Sequence, residues 1–123
     1  MPKSSFNEGE QAVEPISTNI ILKALDGLSA RATVTAQNIA NANSPGYRPL
    51  KVSFEEALRR AATSGVEAIR AVEPRISAAG DSDLRLDLEL ATATSTSGRY
   101  QTLAELLSRQ LQIDAVALSS GGR

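Results

Sequence analysis

The sequence predicts a mainly α-helical protein. Long N- and C-terminal helices are expected to pair as a coiled-coil-like hairpin, with a short helix and a loop or extended segment between them. Three observations carry that expectation. Ile21, Leu22, Leu25, Leu28, Ala32, Thr35, Ala36 and Ile39 recur at three- and four-residue steps, which places them on one helical stripe. Tyr100, Leu103, Leu107 and Leu111 form a second stripe, broadened by Leu106, Ile113, Ala117 and Leu118. Between the two, asparagines and the tetrad Ser44-Pro45-Gly46-Tyr47 stop the first helix.

Size and composition limit what such a chain can do. At 123 residues it holds one small domain. The hydrophobic fraction is 41%, but alanine supplies much of it and aromatics are only 3%. Burial therefore rests on leucine and isoleucine stripes, found in long packed helices or against a partner. A net charge of -1 argues against a sequence-independent grip on nucleic acid, which needs a basic excess. Arg59, Arg60, Arg70 and Arg75 form no continuous basic face and read as solvated charges. The absence of cysteine excludes disulfides and thiolate metal sites. The absence of histidine removes the commonest general base and transition-metal ligand. No stretch approaches the roughly 20 apolar residues of a membrane span. Met1 to Glu8 has no apolar signal core, so a cleaved secretory signal is not expected.

Residues 1–16 are polar and interrupted by Pro2, Gly9 and Pro15, and are expected to lack fixed structure alone. The first helix is expected over 17–43, with Ser17 or Thr18 as N-cap, a span of roughly 35 Å. Gly27 within it costs about 1 kcal/mol against alanine and reads best as a close-packing point. Asn41 or Asn43 suits a left-handed C-cap. Pro45 and Gly46 then suit a type II turn ending at Tyr47.

Residues 44–83 combine this turn, a short helix and a loop. Val52 to Ala62 reads as the helix, capped by Ser53 with Glu56 in capping-box position. Val66, Ile69, Val72 and Ile76 fit either a short helix or a strand pair within a loop-rich segment. Residues 84–118 are expected to form the C-terminal helix, with the plainest helical signal from Arg99. Its first part conflicts with this, since Leu84, Leu86, Leu88 and Leu90 alternate with charged residues as a strand would. Ser and Thr between Thr92 and Gly98 also weaken a helix. Residues 119–123 are expected to fray.

Catalytic equipment is missing. Glu55 and Glu56 suit a helix start, where the dipole favours acids. Asp81-Ser82-Asp83 opens like a calcium loop but lacks its glycine and closing glutamate, so turn chemistry explains it better. No serine finds a lysine or histidine partner. The reading is of a non-enzyme with no cofactor or metal. Asn38 lies inside the helix with no capping task. Its amide either faces solvent or bonds to the turn or a neighbouring helix. Tyr47 either covers the helix end or forms an interface contact with a polar tip.

The wording of the stop is more specific than its physics. Ala36-Gln37-Asn38-Ile39-Ala40-Asn41-Ala42-Asn43-Ser44-Pro45-Gly46-Tyr47 resembles the "A-x-N-I-A-N-x-x-[ST]-P-G-Y" signature of flagellar rod and hook proteins. Arg48 to Leu58, with Val52, Phe54, Ala57 and Leu58, resembles the continuation seen in small basal-body rod proteins of the proximal-rod (FlgB) type. Leu86-Asp87-Leu88-Glu89 resembles that family's "V-D-L-E" entry to the last helix, and Arg99-Tyr100-Gln101-Thr102-Leu103 its "x-Y-Q-x-L" core. The acid and methionine expected after "V-D-L-E" are replaced by Ala91 and Thr92.

The resemblance implies a structural subunit of the proximal rod, a hollow axial assembly that transmits torque and passes exported subunits. It implies export without a cleaved signal through the flagellar type III apparatus. The implied partners are other rod subunits, the rod-base adaptor protein and the export gate. Asn38, Ile39, Asn41, Asn43, Ser44, Pro45, Gly46 and Tyr47 would form the family turn motif. Leu22, Leu25, Leu28, Ile39, Tyr100, Leu103, Leu107 and Leu111 would form the assembly stripes. Another rod subunit of the same family, or a non-flagellar coiled-coil adaptor, is the alternative.

Overall fold

The structure is a computed structural model that describes residues 16–80 and 84–121. The segment expected to be disordered lies outside the described residues, apart from Ile16, as does the Asp81-Asp83 turn. Among the described residues six elements follow in order: α1 (Ile16–Ala40), β1 (Leu50–Ser53), α2 (Glu55–Ala62), α3 (Val66–Arg70), β2 (Arg75–Ala78) and α4 (Leu86–Gly121). The fold is mainly helical, with α1 and α4 packed side by side and a small hairpin module between them in sequence.

α1 stops at Ala40, short of the expected 43. Asn41 to Asn43 form a turn, because the Asn41 side chain draws the chain out of the helix. Its Nδ2 donates to the Gln37 carbonyl at 2.9 Å and its Oδ1 accepts from the Ser44 hydroxyl at 3.1 Å. The left-handed cap expected at Asn41 or Asn43 is not used, since no non-glycine described residue has positive φ. The turn at Ser44–Tyr47 forms as expected: Gly46 has φ +77° and the Tyr47 N–H donates to the Ser44 carbonyl at 3.2 Å.

The segment after the turn differs from expectation. Residues 50–53 are a strand and not the start of a helix. β1 pairs antiparallel with β2, Val52 facing Ile76 across the ladder. Val52 is buried, and a half-buried pairing surface outweighs local helical preference. Consequently Phe54, not Ser53, occupies the α2 N-cap position, and no side chain caps it. Glu56 reaches forward to Arg59 and Arg60 rather than back as a capping box. The alternatives for 66–78 both occur, as α3 followed by β2.

The core lies between α1 and this module. Leu28, Val34, Val52, Phe54, Leu58, Ala61 and the fully buried Ile69 form it, and Leu103 is the hydrophobic side chain of α4 that packs against it among the described residues. Gly27 is a close-packing point, because a Cβ there would overlap the Phe54 ring.

α4 starts at Leu86, so the alternating leucines do not make a strand. Two residues along a helix turn the side chain by about 200°, which scatters Leu86, Leu88 and Leu90 around the helix and leaves all three exposed. Thr92 to Gly98 stay helical because small side chains let α4 approach α1, and Thr96 is 3% exposed. The helix continues past the expected end at Leu118 to Gly121.

Candidate functional site

Asn38 is the centre of the turn site. Inside α1 it is 1% exposed, so its amide must find partners within the protein. It finds four. The Oδ1 accepts from the Tyr47 hydroxyl at 2.7 Å and from the Leu50 N–H at 3.1 Å. The Nδ2 donates to the Leu50 carbonyl at 2.8 Å and to Glu89 Oε1 at 3.0 Å. Both lone-pair positions and both protons of the carboxamide are thereby used. Towards Leu50 the side chain behaves as a peptide group, completing the edge of β1 away from β2. Only a carboxamide offers this donor and acceptor together. Aspartate would lack the donor, and leucine would lack both.

This arrangement separates the two readings of Asn38. The amide does not face solvent. It bonds to the turn, to the following strand and to the neighbouring helix at once. Tyr47 covers the helix end and points its hydroxyl inward. Asn41 and Ser44 brace the turn from outside, while Asn43, Pro45 and Gly46 stand exposed at its tip. Ile39 points elsewhere, into a groove between α1 and α4 of about 440 Å³ that is also lined by Ala36, Ala93 and Tyr100.

The stripe residues divide on the structure. Leu28 is buried, and Leu25, Ile39, Leu103 and Leu107 are half-buried. Leu22 at 45%, Tyr100 at 42% and Leu111 at 51% are exposed. The exposed set on α4 extends further. Leu106, Ile113, Val116 and Leu118 all stand open to solvent. Leu106 and Ile113 are seven residues apart, as are Leu111 and Leu118, so they form two rows along the helix. Nothing among the described residues covers them. The rows lie about 140° apart around the helix, on either side of the strip that meets α1, so each suits packing against a different neighbouring helix.

A second cluster joins α1, α2 and α4. Arg31 holds Glu55 in a fork, at 2.6 and 2.8 Å, and donates also to the Val52 carbonyl at 2.8 Å. Its guanidinium lies over the Phe54 ring, 4.9 Å from the centroid. Arg99 of α4 approaches the same carboxylate at 3.9 Å. The Arg31 hydrogen bonds, against the opposing effect of burial, lower the Glu55 carboxyl to about 2. Glu56 and Asp87 are also lowered, by hydrogen bonds from Arg59 and Arg85 at the surface.

Sequence patterns did not reveal Glu89 as a partner of Asn38, nor Arg31 as the partner of Glu55. The first had a signal: Glu89 closes the Leu86-Asp87-Leu88-Glu89 element. The second had none, since 24 positions separate the pair with nothing local to join them. Among the described residues, no group of three or more acidic residues could hold a metal ion, and no helix is long and apolar enough to cross a membrane. No protein-family model matches the chain, and no curated protein matches it.

Proposed function

We propose that the chain is a structural subunit of the bacterial flagellar basal-body rod, of the proximal-rod type, and not an enzyme. The observation that carries this reading is the pair of exposed apolar rows on α4. A long terminal helix contributes one hydrophobic side chain to the core cluster and holds Leu106, Leu111, Ile113 and Leu118 in water. Such a helix is built for burial against other subunits. The turn motif supports the same reading, because its two resembling elements, around Asn38 and around Glu89, meet in one hydrogen-bonded cluster. On this reading the subunit is exported without a cleaved signal and assembles across the periplasm. Its partners are neighbouring rod subunits, the rod-base adaptor and the export gate.

Leu111→Asp with Ile113→Asp tests it. Both side chains are more than half exposed, so the double variant should keep the helicity of the parent chain. It should fail to enter purified basal bodies and should abolish swimming in a strain lacking the native gene. Normal motility and incorporation would refute the reading. Pull-down of non-flagellar partners alone would favour the coiled-coil adaptor.

A further inference from the structure

Beside the strip that meets α1, α4 carries a second strip with coiled-coil spacing. Taken in alternating steps of four and three from Leu90, the helix passes nine positions to Leu118, and all of them are exposed. None is charged, although α4 holds Asp87, Glu89, Arg99, Glu105, Arg109 and Asp114. The equivalent strip on the other flank, from Leu88 to Val116, includes Arg99 and Arg109. The exposed side of a helix ordinarily carries charge, and depletion of charge marks the centre of an interface. At 1.5 Å per residue the uncharged strip is about 42 Å long.

The order of side chains along the strip points to what covers it. Reversed about Ala104, the strip complements itself. Leu111 falls opposite Ser97 of a second copy, and Leu118 opposite Leu90. Ser108 falls opposite Gln101, Ala115 opposite Thr94, and Ala104 opposite its own equivalent. Bulk is then even along an antiparallel pair. A parallel pair would stack Leu111 and Leu118 on their equivalents at one end and Ser97 and Gln101 on theirs nearer the other, which makes the axes diverge. We propose that two copies of the chain associate through this strip, α4 against α4, antiparallel about a two-fold axis beside Ala104. Such a contact is isologous, each partner presenting the same patch, and it closes at two copies. With a helix width of about 10 Å the strip covers roughly 400 Å² on each copy, at the low end for specific interfaces. The dimer is therefore weak, forming at micromolar concentration and separating on dilution. Leu106 and Ile113, on the other flank, stay free for a different neighbour. This inference does not rest on the rod reading, which motility tests separately.

Sedimentation equilibrium of the purified full chain tests this. The apparent mass should rise with concentration towards twice that of one chain. Ala104→Arg sets two like charges face to face at the two-fold axis and should weaken association about tenfold or more. Ile113→Arg, nine residues further on and about 180° around the helix, should leave association unchanged. Both positions are exposed, so both variants should keep the parent helicity. The chain has no cysteine, so introduced ones report contact without background. Ala104→Cys should oxidise to a covalent dimer about tenfold faster than Ile113→Cys. In a mixture of Thr94→Cys and Ala115→Cys, mass spectrometry of the linked peptides should find mainly unlike chains joined. The mass of a single chain at every concentration overturns the proposal, as does equal weakening by the two arginine variants. Cross-linking through Ile113→Cys as fast as through Ala104→Cys overturns it too, and so does a mixture that joins like chains, the mark of a parallel pair. If Ala104→Arg loses its helicity, the cysteine variants decide by the same outcomes.

Discussion

Gly27→Ala sets two physical effects against each other, and the structure decides the sign. Within a helix, alanine is favoured over glycine by about 1 kcal/mol, so α1 considered alone predicts stabilisation. A Cβ at position 27, however, would lie only 2.3 to 2.5 Å from three carbons of the Phe54 ring. That ring has nowhere to go. It is 5% exposed, packs among Leu28, Leu58 and Ile69, and carries the Arg31 guanidinium over its face. Accommodation would push the β1–α2 junction off α1 and pull Glu55 from the Arg31 fork. Overpacking of this kind costs about 1–3 kcal/mol, and the rigid surroundings place it toward the upper end. The net expectation is destabilisation by roughly 1–2 kcal/mol, read as a lower urea midpoint with unchanged slope. Gly98 supplies the internal control. It lies in α4, and a Cβ added there would meet nothing within 4 Å, so Gly98→Ala should stabilise by up to about 1 kcal/mol. Gly27→Ala combined with Phe54→Leu should lose part of the overlap penalty, although the smaller side chain weakens the core. A Gly27→Ala midpoint equal to or above that of the parent chain would refute the packing argument.

Three other outcomes follow from the polar contacts. Tyr47→Phe removes one hydrogen bond to Asn38 and should cost about 1 kcal/mol in urea unfolding. Asn38→Ala leaves both Leu50 backbone groups without their side-chain partner and opens a cavity, so it should cost roughly 3 kcal/mol or more, enough to unfold a marginal small domain. The lowered Glu55 carboxyl makes stability depend on pH: its contribution is fully present above about 4.5 and is lost as pH falls towards about 2. Because the Glu55 side chain is 51% exposed, screening reduces that contribution to roughly 1 kcal/mol. The stability gap between the parent chain and Glu55→Gln should therefore close across that window, and a gap independent of pH would contradict the Arg31 assignment.

The two long helices were legible because their apolar spacing extends over many turns. The limits of each were less so. Asn41 fits a helix or a turn equally well by type, and only its bonds to Gln37 and Ser44 choose the turn. Strand β1 was hidden because four residues carry little periodicity of their own. Val52 becomes a strand residue through pairing with Ile76 and burial against α1, both of which are long-range. The run Leu84 to Leu90 misled in the other direction. Alternation marks a strand only when a partner strand and a buried face exist, and the described residues supply neither. Asn38 shows the same limit at the site. A buried polar residue and a solvent-facing one look alike in a helical pattern, and the difference lies in Leu50 and Glu89 standing ready to satisfy it.

The distribution of burial also orders the parts of the fold by stability. α1 and the 50–78 module share a core of large side chains, whereas α4 packs along α1 through Leu103, the half-buried Leu107 and the buried Thr96, together with the Glu89 contact and the Arg99 approach to Glu55. Of the two long helices α4 holds fewer buried side chains, so its amides should exchange before those of α1. The exposed rows reverse that ranking once a partner is present. Leu106, Leu111, Ile113, Val116 and Leu118 are each roughly half exposed, so covering what remains is worth about 1 kcal/mol apiece, or roughly 5 kcal/mol together. That equals the whole stability of a modest domain. On the proposed reading, α4 opens readily in the free subunit, as passage through a narrow export channel requires. Association then makes it one of the best-held elements, because the partner binds the docked state alone.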